Sequence, residues 1–233
     1  MRLFVSFILL TTPTLWANII TNGGFEFPNL TGNATTRNFA AGSTGIPGWL
    51  VTPFFPASVS IVRDTFTDGN LSFLPHSGDQ SVNLTGAISG EAAGVLQNVK
   101  LQIGHKYELT FWVGNQDNSA PNYMLDTTVA LYVDDDLVNF YTNGKSSHHA
   151  LNWKESSYTF TAATTATSIQ FSNATVPNED YIGLDSVNLE DITRQTMTPE
   201  PGTIGLAGAA ILLLGACALT KRRFPRRARP PIV

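Results

Sequence analysis

Few residues of this 233-residue chain form patterns that are typical of catalysis. The sequence has no Gly-x-Ser-x-Gly, His-Glu-x-x-His or Cys-x-x-Cys motif, and no Gly-x-Gly-x-x-Gly after a predicted strand. The adjacent His148 and His149 would point to opposite faces of an extended chain, so a shared metal ion is geometrically poor. Asp134, Asp135 and Asp136 lie between two apolar runs, where aspartates are typical of a hairpin turn. The sequence therefore predicts a protein that is not an enzyme.

Carbohydrate binding has more support, because a tryptophan lies on the polar face of a predicted strand. In the run HKYELTFWVGN, Trp112 falls opposite the apolar series, beside Glu108 and Thr110. Its indole can stack on a pyranose ring or pack beneath the long loops, and the sequence leaves both interpretations open. Asn115 offers a hydrogen-bond donor and acceptor directly after it, and Trp49 is a further candidate. The predicted ligand-binding residues are thus Trp112, Asn115 and Trp49.

Short strands carry these residues. Apolar and polar residues alternate in the runs 105–115, 127–133 and 157–163, and turn residues separate roughly ten such runs along the chain. Two sheets that are each apolar on one face bury those faces against each other, which predicts an all-β antiparallel sandwich or jelly roll. The alternation slips near Asp185, which indicates a bulge, and the polar residues 29–45 are predicted to form a long loop.

Charge and cysteine content exclude some classes of protein. The net charge is -4, but Asn18 to Thr198 holds 7 Lys or Arg against 17 Asp or Glu, a difference of -10. Nucleic-acid binding depends on clustered basic residues, so nucleic acid is not a predicted partner. The single cysteine, Cys217, lies in the apolar C-terminal stretch, so the predicted domain has no disulfide.

The two ends have the character of targeting segments. Arg2 precedes an apolar run from Leu3 to Leu10, which is followed by Pro13 and the small residue Ala17, as in a secretory signal peptide cleaved after Ala17. Near the other end, Gly202 to Leu219 carries no charge and as a helix would cover about 27 Å, close to the thickness of a bilayer core. Basic residues after this span place the C-terminus in the cytoplasm. The predicted organisation is a signal peptide (1–17), a β-sandwich domain (18–192), a linker (193–201), a transmembrane helix (202–220) and a basic tail (221–233).

The predicted domain resembles a known group of jelly rolls. The resemblance rests on the runs NIITNGGFEFP, IPGW, HSGDQSVNLTG, YELTFWVGN and YIGLDSVNL, in that order. It is to galactose-binding-like domains of the choice-of-anchor type and to the related domain of plant cell-wall proteins, whose function is unknown. The resemblance implies that the opening and closing motifs lie on adjacent strands.

The same resemblance implies a structural calcium ion near those two motifs. Carried over by position, its ligands are Glu26 and Asp185, helped by backbone carbonyls around 22–24. Calcium prefers six to eight oxygen ligands, which two carboxylates, carbonyls and water can supply. Alternatively, the two carboxylates only satisfy backbone donors at a strand junction.

The C-terminal residues resemble the PEP-CTERM sorting signal of Gram-negative bacteria that make extracellular polysaccharide. The motif is Pro199, Glu200 and Pro201, followed by the apolar span and a basic cluster that includes Arg222 and Arg223. The resemblance implies an exosortase-type partner in the inner membrane, a transient anchor there, and release to the cell surface or extracellular matrix.

These observations lead to three functional hypotheses. The leading one is an exported, non-catalytic module, braced by calcium, that binds carbohydrate or exopolysaccharide. The second is a structural matrix or adhesion protein without a specific glycan ligand, and the third is an extracellular glycoside hydrolase. Two carboxylates that face each other at glycosidase separation would favour the third hypothesis.

Overall fold

The computed structural model describes residues 17–52, 57–86, 93–116, 126–144, 151–175 and 181–193. Across these ranges the chain forms strands and turns and no helix, which confirms the predicted all-β class. It follows that no membrane-crossing helix is found in the part of the chain that the structure describes. The predicted transmembrane helix, the sorting motif, the basic tail and residues 1–16 of the signal peptide lie outside the described residues.

The described residues form thirteen strands. Their bounds are β1 (Thr36–Ala40), β2 (Leu50–Thr52), β3 (Ser58–Arg63), β4 (Thr67–Asp68), β5 (Leu71–Ser72), β6 (Gln80–Asn83), β7 (Gly94–Lys100), β8 (Lys106–Asn115), β9 (Thr127–Val133), β10 (Asp136–Asn143), β11 (Asn152–Thr161), β12 (Ala166–Asn173) and β13 (Ile182–Asp191).

The strands form two antiparallel sheets that pack face to face. One sheet has six strands in the order β1-β3-β6-β13-β8-β11, and the other has five in the order β10-β9-β12-β7-β2. The short strands β4 and β5 pair only with each other. Most neighbours in a sheet are distant in sequence, so the chain crosses repeatedly between the sheets, as in a jelly roll.

The alternation along β8 sets which face is buried. Leu109 and Phe111 are fully buried, and the Phe111 ring packs edge-on against Phe171 of the opposite sheet, with ring centroids 4.8 Å apart. Phe111 also meets Tyr141 edge-on at 4.9 Å, within the spacing that aromatic pairs prefer. The apolar face predicted for this strand is therefore the core, and its polar face, which holds Trp112, is the outer face of the six-stranded sheet.

Residues 29–45 are not a loop throughout, so that prediction was wrong. They include the edge strand β1, which pairs with β3 along its whole length. Only Phe39 of this strand is buried. An edge strand that is held by backbone pairing on one side needs few apolar side chains. Apolar and polar residues do not alternate clearly in residues 36–40, so the sequence alone does not indicate a strand there.

The two ends of the domain meet, as the resemblance implied. The N–H of Ile19 donates to the carbonyl of Leu189 at 2.9 Å, and the N–H of Val187 donates to the carbonyl of Gly23 at 2.9 Å. Asn18 adds side-chain bonds to the same part of β13. The opening residues lie alongside the last strand as an irregular segment and not as a strand of their own.

Residues 64–79, which we call the covering segment, pack on the outer face of the six-stranded sheet. The segment contains β4 and β5 and contributes Phe73, whose ring lies 4.7 Å from Tyr181 and 5.0 Å from Phe66. With Val62 and neighbouring apolar residues these side chains form a second, smaller core. Part of this outer face is therefore buried by the chain itself.

Candidate functional site

Asp185 lies in β13 opposite Trp112 of β8, and its side chain is fully buried. One carboxylate oxygen accepts a hydrogen bond from the Ser77 N–H at 3.0 Å, and the other accepts one from the Ser186 N–H. The register shifts directly after Asp185, and Ser186 has a φ of 52°, which confirms the predicted bulge. Burial raises the pKa of Asp185 to about 7, although the N–H groups of Ser77, Ser186 and His76 oppose the rise. This carboxyl therefore ties the covering segment to β13.

Glu26 makes a similar contact from the other side. Its Oε1 accepts hydrogen bonds from the N–H groups of Asp79 at 3.0 Å and Gln80 at 3.2 Å. Burial raises the pKa of Glu26, and its negative charge contributes to the raised pKa of Asp185. The two predicted metal ligands are thus close enough to interact, and both satisfy backbone donors, as the alternative interpretation of the sequence holds.

The donor chemistry of this pair suits a calcium ion. Both side chains supply hard oxygen atoms, and the ion pairs of the described residues include neither of them. The Gly24 backbone lies between them, since a Cβ built on it would be 4.0 Å from Asp185 Oδ1 and 3.9 Å from Glu26 Cγ. No group of three or more His, Cys, Asp or Glu side chains suited to a metal occurs in the described ranges. Backbone carbonyls and water would therefore have to complete the coordination.

Trp112 packs beneath the covering segment. The His76 imidazole stacks on its ring at a centroid distance of 3.7 Å and an angle of 15°, and Trp153 meets the same imidazole edge-on at 6.2 Å. His76 Nδ1 lies 2.8 Å from the Ser186 hydroxyl, which lies 2.8 Å from the Ser77 hydroxyl. One face of the Trp112 indole is therefore occupied within the domain, as its alternative interpretation predicted.

The other two predicted ligand-binding residues are buried, which corrects that part of the prediction. Trp49 is 2% exposed and stacks on Phe25 at 5.2 Å, so its ring belongs to the core. Asn115 is 1% exposed and accepts a hydrogen bond from the Thr127 hydroxyl at 2.8 Å, which joins β8 to β9 across the sandwich. Neither side chain is placed at the surface, because both lie on the inward parity of their segments.

A groove of about 420 Å³ opens on the outer face of the six-stranded sheet, along β8 and β11. We call it the polar groove, and its lining consists of carboxylates and hydroxyls from Glu108, Thr110, Glu155, Ser156 and Ser157. Trp112 pairs with Glu155 in the register of these strands, so the stacked indole and imidazole lie at one end of the groove.

The sequence indicates only half of this groove. Its alternation places Glu108 and Thr110 beside Trp112 on the polar face of β8. Glu155 and Ser157 are not among the predicted site residues, although they alternate with the apolar Tyr158 and Phe160 and so have a visible parity. What the sequence did not show is that β11 pairs with β8 and brings the two polar faces together.

Other candidate residues lie outside the described residues. These are the sorting-signal residues Pro199, Glu200, Pro201, Arg222 and Arg223, together with His148 and His149. The three aspartates behave as predicted, since Asp134 and Asp135 have φ of 52° and 67° at the turn between β9 and β10.

Two solved structures are similar to this chain to different degrees. A cyclase from Fischerella sp., solved in its apo form, matches with a TM-score of 0.54 and 19% identity, over 77% of this chain and 97% of that chain. The module TmCBM61, solved in complex with β-1,4-galactotriose, matches with a TM-score of 0.46 and 22% identity, over 75% of this chain and 99% of that chain. At these identities the cyclase match shows the fold alone.

The family model for the protein of unknown function DUF642 matches residues 18–190. The matched region covers the whole sandwich, from the opening segment to β13. The match agrees with the resemblance to a domain family of unknown function. The chain therefore belongs to the DUF642 family.

Proposed function

We propose that this domain is an extracellular, non-catalytic module that binds a neutral polysaccharide in the polar groove. The observation that carries the proposal is the lining of the groove, in which carboxylates and hydroxyls stand on adjacent strands of an exposed sheet face. Carboxylates accept hydrogen bonds from sugar hydroxyls, and Ser and Thr hydroxyls both donate and accept. Glu108 and Glu155 would repel uronate or phosphate groups, which favours an uncharged glycan.

The two glutamates that line the groove are far apart in the sheet. Glu155 pairs with Trp112, which is four residues along β8 from Glu108, so their Cα atoms are roughly 14 Å apart. Glu190 of β13, not Glu155, pairs directly with Glu108. We expect no hydrolysis by this close pair, and release of reducing sugar from a neutral glycan by the wild type but not by Glu190→Gln would contradict the non-catalytic role.

The Ser186 and His76 pair does not supply a hydrolytic centre either. The neighbouring N–H groups that would have to stabilise an oxyanion, those of His76, Ser77 and Ser186, all point at the Asp185 carboxylate. A negative charge that developed beside the Ser186 hydroxyl would therefore lie near the Asp185 carboxyl, and none of these three N–H groups would be available to stabilise it.

Glycan affinity tests the proposal directly. The full-length protein is run in native gels that contain neutral β-1,4-galactan, xylan or mixed-linkage glucan, and retardation gives the affinity. Glu155→Gln and Thr110→Val each remove one groove contact. We expect about tenfold weaker binding for Glu155→Gln, since a hydrogen bond to a charged group contributes about 1.5–3 kcal/mol, and roughly threefold weaker binding for Thr110→Val, since a neutral hydrogen bond contributes about 0.5–1.5 kcal/mol.

Asp136→Asn makes the corresponding charge change at an exposed hairpin and is expected to bind as the wild type does. A glycan affinity equal to that of the wild type in both groove variants would remove the groove from the proposal. If no neutral glycan retards the wild type, the structural matrix role becomes the better explanation.

Delivery to the cell surface is part of the same proposal. It is supported by the order of the C-terminal signal, in which Pro199, Glu200 and Pro201 precede an uncharged span and a basic cluster. We expect Glu200→Ala to leave the protein in the inner membrane of its Gram-negative host, whereas the wild type reaches the surface. Cell fractionation with an antibody to the domain checks this, and equal surface levels would contradict it.

Calcium bracing is a separate proposal, in which Glu26 and Asp185 hold the ion. A cation would offset the repulsion between their charges and join the opening segment to β13. Because a ligand that binds only the native state raises its stability, chelation is expected to lower the melting temperature of the full-length protein. An unchanged melting temperature with chelator at pH 8 would contradict this proposal.

A further inference from the structure

The outer face of the five-stranded sheet carries a continuous row of side chains across all five strands. We call it the Tyr132 row, and the pairing register places its members side by side: Leu50, Leu96, Gln170, Tyr132 and Leu137. Their sequence neighbours Val51, Val95, Phe171 and Leu131 are 0–1% exposed and form the core, so the row faces outward. Four strand spacings give it a length of about 19 Å.

This face carries three large apolar side chains that are exposed. Leu50 is 37% exposed and Leu137 is 46% exposed, and Phe140 on the same edge strand as Leu137 is 54% exposed. Among the described strand residues, these are the exposed large apolar side chains, and all three belong to this sheet. A sheet face turned to water is ordinarily polar, so a row in which three of the five side chains are leucines indicates a binding surface.

The two outer faces of the sandwich differ in what covers them. On the six-stranded sheet the covering segment buries Val62 and Tyr181 in the second core. On the five-stranded sheet Leu50 and Leu137 stay exposed at the two edge strands, and a groove of about 310 Å³ opens beside Leu50, Leu96 and Asn98. Within the described ranges no segment buries the two ends of the row as the covering segment buries part of the other face, so the row is available to a partner.

The chemistry of the row matches a neutral polysaccharide. It holds no charged side chain, although the domain is strongly acidic. A sugar ring has an apolar face and a rim of hydroxyls, and Tyr132 offers an aromatic ring next to the carboxamide of Gln170. Asn98 and Thr44 add hydrogen-bonding groups in the groove at the β2 end.

We infer that the Tyr132 row is a second glycan-binding surface, so that one domain holds two polysaccharide chains on opposite sides. The inference rests on the proposed function of the polar groove and extends it from binding to cross-linking. The outer faces of two packed sheets point in opposite directions, so one short glycan segment cannot occupy both. Two sites on one rigid body join neighbouring chains of a matrix.

Turbidity and light scattering of polysaccharide solutions test the inference. The full-length protein is mixed with whichever of β-1,4-galactan, xylan and mixed-linkage glucan retards it most in native gels. Tyr132→Ala removes the ring from the second surface, Glu155→Gln weakens the groove, and a double variant combines them. Ile103→Ser replaces an apolar side chain that is 62% exposed but lies on neither surface, and serves as the control.

The wild type and Ile103→Ser are expected to cross-link the polysaccharide and raise scattering. Each single-surface variant should still be retarded in gels, although less than the wild type, and should lose at least tenfold in cross-linking. The double variant should lose both properties. Wild-type cross-linking by Tyr132→Ala would overturn the second surface while leaving the groove untouched. Self-association of the wild type without polysaccharide, abolished by Tyr132→Ala, would assign the row to a second copy and also overturn the inference.

Discussion

At the scale of single residues, Asp185 is the group whose environment departs most from what its type prefers. Its carboxyl is fully buried, accepts hydrogen bonds from backbone N–H groups and lies near the negative charge of Glu26. Such a carboxyl binds a proton more readily when the protein is folded than when it is unfolded. The stability of the metal-free protein therefore depends on pH through this residue.

The sign of this dependence follows from proton linkage. The folded pKa of Asp185 is about 7 and the unfolded value is lower, so the folded state holds more protons between them and stability falls as pH rises. Lowering the pH from about 8 to about 6.5 is expected to raise the free energy of unfolding by about 1 kcal/mol. Urea unfolding of the chelated protein at the two pH values checks this.

Asp185→Asn should be less stable overall and should lose this rise, whereas Asp136→Asn at the exposed hairpin should keep it. His76 has the opposite effect on stability, because burial lowers its pKa in the folded protein. As the pH falls towards about 6.5 and below, the unfolded chain binds a proton at His76 more readily than the folded protein does, so the free energy of unfolding falls. The contribution of Asp185 is therefore taken as the difference between the rise in the wild type and the rise in Asp185→Asn, since His76 is present in both. A rise of equal size in Asp185→Asn would contradict the assignment.

At the scale of elements, the covering segment is held by the small core around Phe73. Its ring is fully buried between Phe66 and Tyr181. Trp153 adds a hydrogen bond from its indole N–H to the Leu74 carbonyl at 3.0 Å. The segment should therefore unfold together with the sheet beneath it.

Phe73→Ala is expected to lower the free energy of unfolding by about 3–5 kcal/mol, the usual cost of emptying a buried phenylalanine site. Phe140→Ala, the same change at a ring that is 54% exposed, should cost less than about 1 kcal/mol. Chemical denaturation of both variants gives the comparison. Equal costs would show that the covering segment is loosely attached.

At the scale of the whole molecule, the domain is closed by contacts between its first and last residues. The Asn18 carboxamide accepts hydrogen bonds from the N–H groups of Ile20 and Leu189 and donates one to the carbonyl of Val187. No disulfide reinforces this closure, since Cys217 is the only cysteine of the chain.

Asn18→Ala is therefore expected to lower the free energy of unfolding by about 1–2 kcal/mol, because three hydrogen bonds of modest net value are lost together. Asn33→Ala, at an exposed position, should have little effect. Thermal unfolding with and without a reducing agent completes the test, and the two curves should coincide for each variant. A loss in Asn33→Ala as large as that in Asn18→Ala would argue against closure by Asn18.

How much was predictable depends on whether a feature is local. Alternation along β8 and β11 assigned the buried faces correctly, because the side-chain period of a strand is a property of the backbone itself. The bulge after Asp185 was also visible, since it reverses that alternation. β1 was missed, because its backbone pairing with β3 leaves no pattern in its own residues.

The candidate sites were predictable only in part, for the same reason. The resemblance brought Glu26 and Asp185 together, and the structure agrees that they interact. The prediction that Trp49 binds a ligand is wrong, because residue type alone cannot distinguish a stacking platform from a core ring. The Tyr132 row was not foreseen, since its members come from five strands that only pairing places side by side.

By itself, the sequence determined the all-β class, the inward and outward parity of the main strands, the acidic character of the domain and the absence of a disulfide within it. These features depend on composition and on periods of two residues, which are local. Tertiary structure alone decided which strands are neighbours, that His76 lies on Trp112, and which outer face is covered. Those outcomes depend on contacts between residues as far apart as Asn18 and Leu189, and no local pattern encodes the strand order of a sheet whose neighbours are distant in sequence.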